Sequence, residues 1–346
     1  YDDNTVGTAA TSGTNVINKA QITPLPGIFI QDEWKFDKKN LLLTGIRYDH
    51  HNVHGNIFTP RLAYKKLFNL DNIIRLNFGT GFRVVNLFTE DHAALTGARN
   101  VKLRNELKPE KSYNLNINYL KKIRLKSLNL LSFDATAFYT YFKNRILADY
   151  DSDPNTIYYD NIDGYAISSG ISLNLDLALK NGIRGNIGAT YLDVHTINRQ
   201  IKTVPVLTEK YSAVWSLGFP LNKKFNFDYT GNLIGPMRLP LLGPDDPRKP
   251  YSPWWSIQNI QMTYSGKKGL KIYGGIKNLL NWTPSKNNKF MIARSHDPFD
   301  KKVSYDASGN IIKTAENPYA MSFDPNYVYA PNQGIRFFLG FSYQIQ

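Results

Sequence analysis

The stretch Lys111-Ser112-Tyr113-Asn114-Leu115-Asn116-Ile117-Asn118-Tyr119 decides the fold. Side chains of an extended chain alternate between two faces, so Tyr113, Leu115, Ile117 and Tyr119 fall together while Ser112, Asn114, Asn116 and Asn118 oppose them. One face is apolar and aromatic; the other is polar without charge. Such a strand suits lipid on one side and a wet lumen on the other. The alternation recurs less perfectly at 72–79, where Ile74, Leu76 and Phe78 oppose Ile73, Arg75 and Asn77. It recurs again at 256–264, where Ile257, Ile260 and Met262 interleave with Gln258 and Gln261.

Turn residues divide the chain into segments of this kind. Thirteen strands are predicted, near 24–36, 41–50, 57–67, 72–80, 110–119, 127–147, 157–179, 183–195, 209–219, 224–238, 253–265, 269–281 and 333–345. Most reach the roughly 9–11 residues that a tilted spanning strand needs. Connections after odd-numbered strands are short (37–40, 68–71, 120–126, 180–182, 220–223, 266–268), whereas those after even ones are mostly long. The long ones are 81–109, 196–208, 239–252 and 282–332. A soluble β-sandwich has no reason to sort its loops this way, but an outer-membrane barrel with tight periplasmic turns and long external loops does. The reading is all-β, a transmembrane antiparallel β-barrel. Its last strand ends inward, with the C-terminus periplasmic and residues 1–23 an external loop entering the first strand.

Composition narrows the alternatives. No apolar run approaches the roughly 18 residues of a spanning helix. The chain has no cysteine, which excludes zinc-finger and cysteine-nucleophile chemistry. Its net charge of +14 would suggest nucleic acid in a soluble protein. The basic residues, however, are dispersed in turns such as Asp37-Lys38-Lys39-Asn40 and Lys121-Lys122-Ile123-Arg124, where solvated turns and contact with lipid phosphates account for them. Nucleic acid is therefore not an expected partner; outer-membrane lipid is. Aromatics gather at strand ends, at Trp34 and Phe36, Tyr139 with Tyr141 and Phe142, Tyr158 and Tyr159, and Trp254 and Trp255, as membrane-interface girdles require. No Gly-x-Ser-x-Gly elbow, phosphate loop or His-Glu-x-x-His pair is present, so no enzyme is expected; a hydrolase would need a catalytic cluster at the rim.

Seven segments, in order, resemble signatures of TonB-dependent outer-membrane receptor barrels. They are Phe29-Ile30-Gln31-Asp32-Glu33-Trp34, Gly45-Ile46-Arg47-Tyr48-Asp49, Thr59-Pro60-Arg61-Leu62, Gly79-Thr80-Gly81-Phe82-Arg83, Leu107-Lys108-Pro109-Glu110-Lys111-Ser112, Ile276-Lys277-Asn278-Leu279-Leu280 and Phe337-Phe338-Leu339-Gly340-Phe341-Ser342-Tyr343. The resemblance implies a barrel of 22 strands, of which these are the last thirteen. The earlier strands, a plug and an N-terminal box for the inner-membrane TonB complex are expected upstream. It also implies active import of a scarce nutrient, an iron-siderophore or other metal chelate, by external loops and a plug apex. A passive barrel or scaffold displaying loops to a surface lipoprotein is a second reading, and haem or cobalamin uptake a third. The ending Tyr343-Gln344-Ile345-Gln346 lacks the terminal aromatic often used in barrel assembly.

Charges beside the strands, Arg47, Asp49, Arg61, Arg75 and Glu110, are expected to face the lumen in structural pairs or gating roles. His50, His51 and His54 lie close enough in sequence to hold a transition metal, or else serve only to extend their strand. His92 falls where haem receptors of the resembled family carry a ligand histidine, although its flanking motif is degenerate here. Arg294, His296, Lys301, Lys302 and Tyr319, with Arg248, Lys249, Tyr251, Trp254 and Trp255, mix cations with aromatics. That chemistry suits an anionic aromatic iron chelate, though solvated loops use the same residues. No resident cofactor is expected.

Overall fold

The computed structural model describes residues 2–3, 21–22, 24–84, 100–105, 107–123, 128–149, 152–153, 156–241, 249–267, 269–287, 304–307, 311–315 and 329–344. Thirteen strands form one continuous antiparallel wall in chain order. They are β1 (Gly27–Lys35), β2 (Asn40–His51), β3 (Gly55–Asn69), β4 (Asn72–Arg83), β5 (Glu110–Ile123), β6 (Leu128–Lys143), β7 (Gly164–Leu179), β8 (Arg184–Asn198), β9 (Tyr211–Pro220), β10 (Phe225–Ile234), β11 (Gln258–Ser265), β12 (Leu270–Lys277) and β13 (Arg336–Tyr343). Among the described residues β1 and β13 are its two edges, so the wall is an open arc.

The alternation in β5 produces the expected two faces, with the burial of a soluble protein reversed. Ile117 is 45%, Ile171 50% and Ile187 47% exposed, whereas Asp49 is 0% and Glu110 7%. Apolar side chains cover the outside and polar ones close over the inside, which only a hydrocarbon solvent explains. The inner face is laced across strands: Arg75 donates to Asn118 Oδ1 (2.8 Å), Asn118 to Asp134 Oδ1 (2.8 Å), and Asn114 to Thr140 Oγ1 (2.7 Å). Arg47 and Asp49 form a bidentate pair there at 2.6–3.0 Å, as the sequence suggested.

Two belts of outward aromatics bound the apolar band. At the long-connection end Tyr113, Tyr141 and Tyr165 follow one another, as do Tyr191, Tyr211 and Trp254. Near the short turns lie Trp34 with Phe36, Phe219 with Phe227, and Phe225 with Tyr264. Tyr211 and Phe219 share β9, and eight residues at about 3.3 Å each separate the belts by roughly 26 Å along the strand, close to the apolar height of such barrels.

At the short turns, Asp37 organises the β1–β2 reversal. Its carboxylate accepts from the Lys39 and Asn40 amides (2.6 and 2.8 Å) and from Asn40 Nδ2 (2.8 Å). The Asn40 side chain foremost, then the Lys39 amide, hold the Asp37 pKa below its ordinary value. A depressed folded-state pKa means that this support is complete above the unfolded value of about 3.9 and is lost as pH falls through the folded one. Hydrogen exchange at the Lys39 and Asn40 amides should therefore accelerate specifically below about pH 4, and Asp37→Asn should remove that pH dependence.

Several strands end differently from the sequence reading: 224–238, 253–265, 269–281 and 333–345 shorten to Phe225–Ile234, Gln258–Ser265, Leu270–Lys277 and Arg336–Tyr343. The segments 127–147 and 157–179 are not continuous: Asn144 takes φ 57°, a left-handed conformation that asparagine tolerates, and breaks the first. Ile146–Asp149 then pairs with Thr156–Asn161, which pairs in parallel with Asn100–Leu103 inside the expected loop 81–109. Gly164 re-enters the wall at φ 152°, where a Cβ would collide with the Ile197 carbonyl oxygen. The expected loop 196–208 also carries Ile201–Thr203, folded back on β8. The segment 282–332 holds a short turn of helix, Pro284–Asn287, and a pairing of Ser304–Tyr305 with Ile311–Ile312. In the expected external loop 1–23, Asp2–Asp3 pairs with Gln21–Ile22.

Candidate functional site

The three-stranded sheet of 100–103, 146–149 and 156–161 forms a tongue at the long-connection end, packed on Ile157 and Tyr159 with Leu107, Ile146 and Ala148. Glu110, at the start of β5, secures it. One oxygen pairs with Arg83 (Nε and Nη2, both 2.7 Å), and the other accepts from the Ile146 amide at 2.8 Å. The Asn161 amide bridges the same junction, donating to the carbonyls of Asn144 (2.6 Å) and Lys108 (2.9 Å) and accepting from the Lys108 amide (2.7 Å). Arg145, beside this cluster, has its pKa lowered by burial, with Glu110 acting in the opposite sense and Arg83 adding to the decrease.

A recess of about 1290 Å³ opens against the tongue, bounded also by the β2–β3 turn and by residues 196–206. Its charged lining is Arg104, Lys108, Lys143, Arg199 and Arg238 against Asp149, Asp160 and Asp163, an excess of cations. Arg104 Nη2 lies 2.9 Å from Asp149 Oδ2, and its guanidinium stands over the Tyr158 ring at 4.6 Å. Arg199 and Asp163 are 3.9 Å apart. A concave surface with this balance can hold an anion by charge and an aromatic one by stacking.

The sequence candidates sort unevenly. His92, Arg248, Arg294, His296 and Tyr319, with Lys301 and Lys302, lie outside the described residues. His50, His51 and His54 do not converge as metal ligands. His50 and His51 are consecutive in β2 and face opposite sides, and among the described residues no three such groups stand together. His51 instead caps its turn, Nδ1 accepting from the Val53 and His54 amides (3.1 and 3.2 Å), with its ring stacked on His54 at 4.5 Å. Trp254 stacks on Tyr211 in the outward belt, away from the recess. Trp255 stacks on Trp282 beside Met237, Leu239 and Tyr329, a small core beneath the long connections. Arg104 and Arg238 carry no signal of their own in the sequence, and Tyr158 with Tyr159 reads there as part of an interfacial girdle; the structure instead buries Tyr159 in the tongue and sets Tyr158 on the recess beneath Arg104.

The profile described as "TonB dependent receptor-like, beta-barrel" matches residues 1–279 of the 346. The chain belongs to this TonB-dependent receptor family. Receptors of this kind are transporters of the outer membrane, not enzymes, in agreement with the sequence reading. Over 122 residues, 34% of this receptor chain and 18% of the relative, it is 33% identical to the iron-regulated outer membrane virulence protein of Vibrio cholerae serotype O1. The ferrienterobactin receptor of Escherichia coli K12 is 21% identical over 299 residues, 79% of this chain and 38% of the relative. Among solved structures, the ferric enterobactin receptor of Pseudomonas aeruginosa superposes with a TM-score of 0.65 at 17% identity, covering 94% of this chain and 45% of that one. The siderophore receptor PirA of the same organism gives 0.55 at 16% identity, covering 76% and 44%. This TonB-dependent receptor chain thus spans less than half the length of these relatives, and the structural likenesses speak for the fold.

Proposed function

We propose that this chain supplies most of the barrel of a receptor that imports a ferric siderophore across the outer membrane, driven by the inner-membrane TonB complex. The likeness to receptors named for ferric enterobactin and for iron regulation carries this reading. The cationic recess supports it, because ferric chelates of the catecholate class are anionic and aromatic. On this reading the long connections face outside and the short turns face the periplasm. Further strands, 22 in all, pair with β1 and β13, since hydrocarbon cannot satisfy the free amides of a sheet edge.

The test is growth of an iron-starved host on a ferric tris-catecholate as sole iron source, with the complete receptor present or deleted and with TonB intact or disrupted. Growth that requires both supports the proposal; receptor-dependent growth without TonB would leave a passive barrel. Within the recess, Arg104→Ala with Lys108→Ala should weaken binding of the tris-catecholate roughly tenfold or more, the scale of losing charge-assisted contacts. Unchanged affinity would move the ligand elsewhere.

A further inference from the structure

One cross-strand row on the outward face, Phe82, Lys111, Lys143, Tyr165, Ile197 and Lys202, runs from β4 to the strand Ile201–Thr203, each residue paired directly with the next. It holds three exposed lysines and no acid, and one of them, Lys143 at the end of β6, also borders the recess. Among the described residues none of the three takes part in an ion pair. Lys111 and Lys143 stand directly opposite each other, an arrangement in which like charges repel. Their face is settled by Tyr113 and Tyr141, which form the next same-face pair along both strands.

The height of this row gives the repulsion a purpose. At β5 and β6 it lies two residues, roughly 6.6 Å, beyond Tyr113 and Tyr141, and its own Tyr165 stacks on Tyr141 at 5.4 Å; toward Lys202 it climbs further from the belt, since Ile197 stands six residues beyond Tyr191 on β8. Aromatic belts sit at head-group level, so the lysine ammoniums emerge where lipid phosphates lie. On the other side of the belt, Leu115, Ile117, Ile171 and Leu173 present a charge-free apolar surface. Cations above such a surface match an amphiphile with an anionic head.

We propose that Lys111 and Lys143, extended by Lys202, form a binding strip for the phosphate of an anionic membrane lipid whose acyl chains lie along β5 to β7. A phosphate between the paired ammoniums turns their repulsion into a bridge. Lys202, three strands further on at roughly 14 Å, lies beyond reach of that phosphate and adds its charge to the strip. Free phosphate shares the head-group chemistry but lacks the chains.

The complete receptor in non-ionic detergent is titrated with dioleoyl phosphatidic acid, with dioleoyl phosphatidylcholine and with inorganic phosphate, and occupancy is read by native mass spectrometry. The phosphatidic acid is expected to bind tightest. At about fivefold per basic residue at an anionic surface, the triple variant K111Q/K143Q/K202Q should lose at least roughly twentyfold in affinity, most of it from Lys111 and Lys143, and K143Q alone about fivefold. The triple arginine variant, which keeps the charge, should bind like the parent. Equal affinity of parent and triple glutamine variant for phosphatidic acid overturns the site. Competition by inorganic phosphate at the same concentration as the lipid overturns the lipid as its occupant.

Discussion

Ile117→Arg should destabilise the barrel by roughly 2–4 kcal/mol, the range for arginine at the membrane midplane, whereas Asn116→Arg one residue away should change stability by well under 1 kcal/mol. The contrast follows from β5 alone. Ile117 points outward between the two aromatic belts, and its substitution places a cation in hydrocarbon. Asn116 points inward, where Arg75 and Asn118 already show that the wall accommodates charge and hydrogen bonds. Urea unfolding of the complete receptor refolded into vesicles would measure both. Similar losses for the two variants would mean that the faces have been assigned wrongly, and the membrane reading would go with them.

Glu110→Ala is expected to cost about 2 kcal/mol and to loosen the tongue. Breaking a buried ion pair by removing one partner costs roughly 3–5 kcal/mol, but the side chain of Arg83 is 54% exposed, which reduces the figure. The loss has two parts: Arg83 and Arg145 are left as neighbouring cations without their carboxylate, and the Ile146 amide loses its acceptor. Protease cleavage within 144–163 should accelerate, while cleavage at the short turns should not. Glu110→Gln, which retains an acceptor oxygen, should fall between. If the alanine variant is cut no faster than the parent, Glu110 does not tether the tongue.

The wall was legible in sequence because each strand carries its own period-two record: Tyr113 to Tyr119 sorts itself with no knowledge of its neighbours. The split near Asn144 does leave a trace that the strand reading passed over: alternation stops at Lys143-Asn144-Arg145, three polar residues in a row, followed by Ile146-Leu147-Ala148. The left-handed asparagine ends the strand inside that polar run. The recess was hidden for a different reason. Arg104, Tyr158 and Arg238 are far apart in the chain, and only the parallel pairing of 100–103 with 156–161 brings the first two together. Proximity in sequence misled at His50, His51 and His54, because adjacent residues of a strand point apart. Loop composition likewise offered Trp254 and Trp255 as ligand contacts, although stacking on Tyr211 and Trp282 occupies them structurally.

Asn278 and Asn281 draw the two feet of the longest connection together. The Asn278 amide donates to the Gln333 carbonyl at 2.9 Å, and Asn281 Oδ1 accepts from the Ile335 amide at 3.0 Å. Below this clasp, Lys277 and Arg336 open the register between β12 and β13. The number of residues between the feet is therefore invisible to the wall, and insertions or deletions there leave every strand pair in place. Evolution can thus rewrite the longest connection in length and in chemistry without renegotiating the fold.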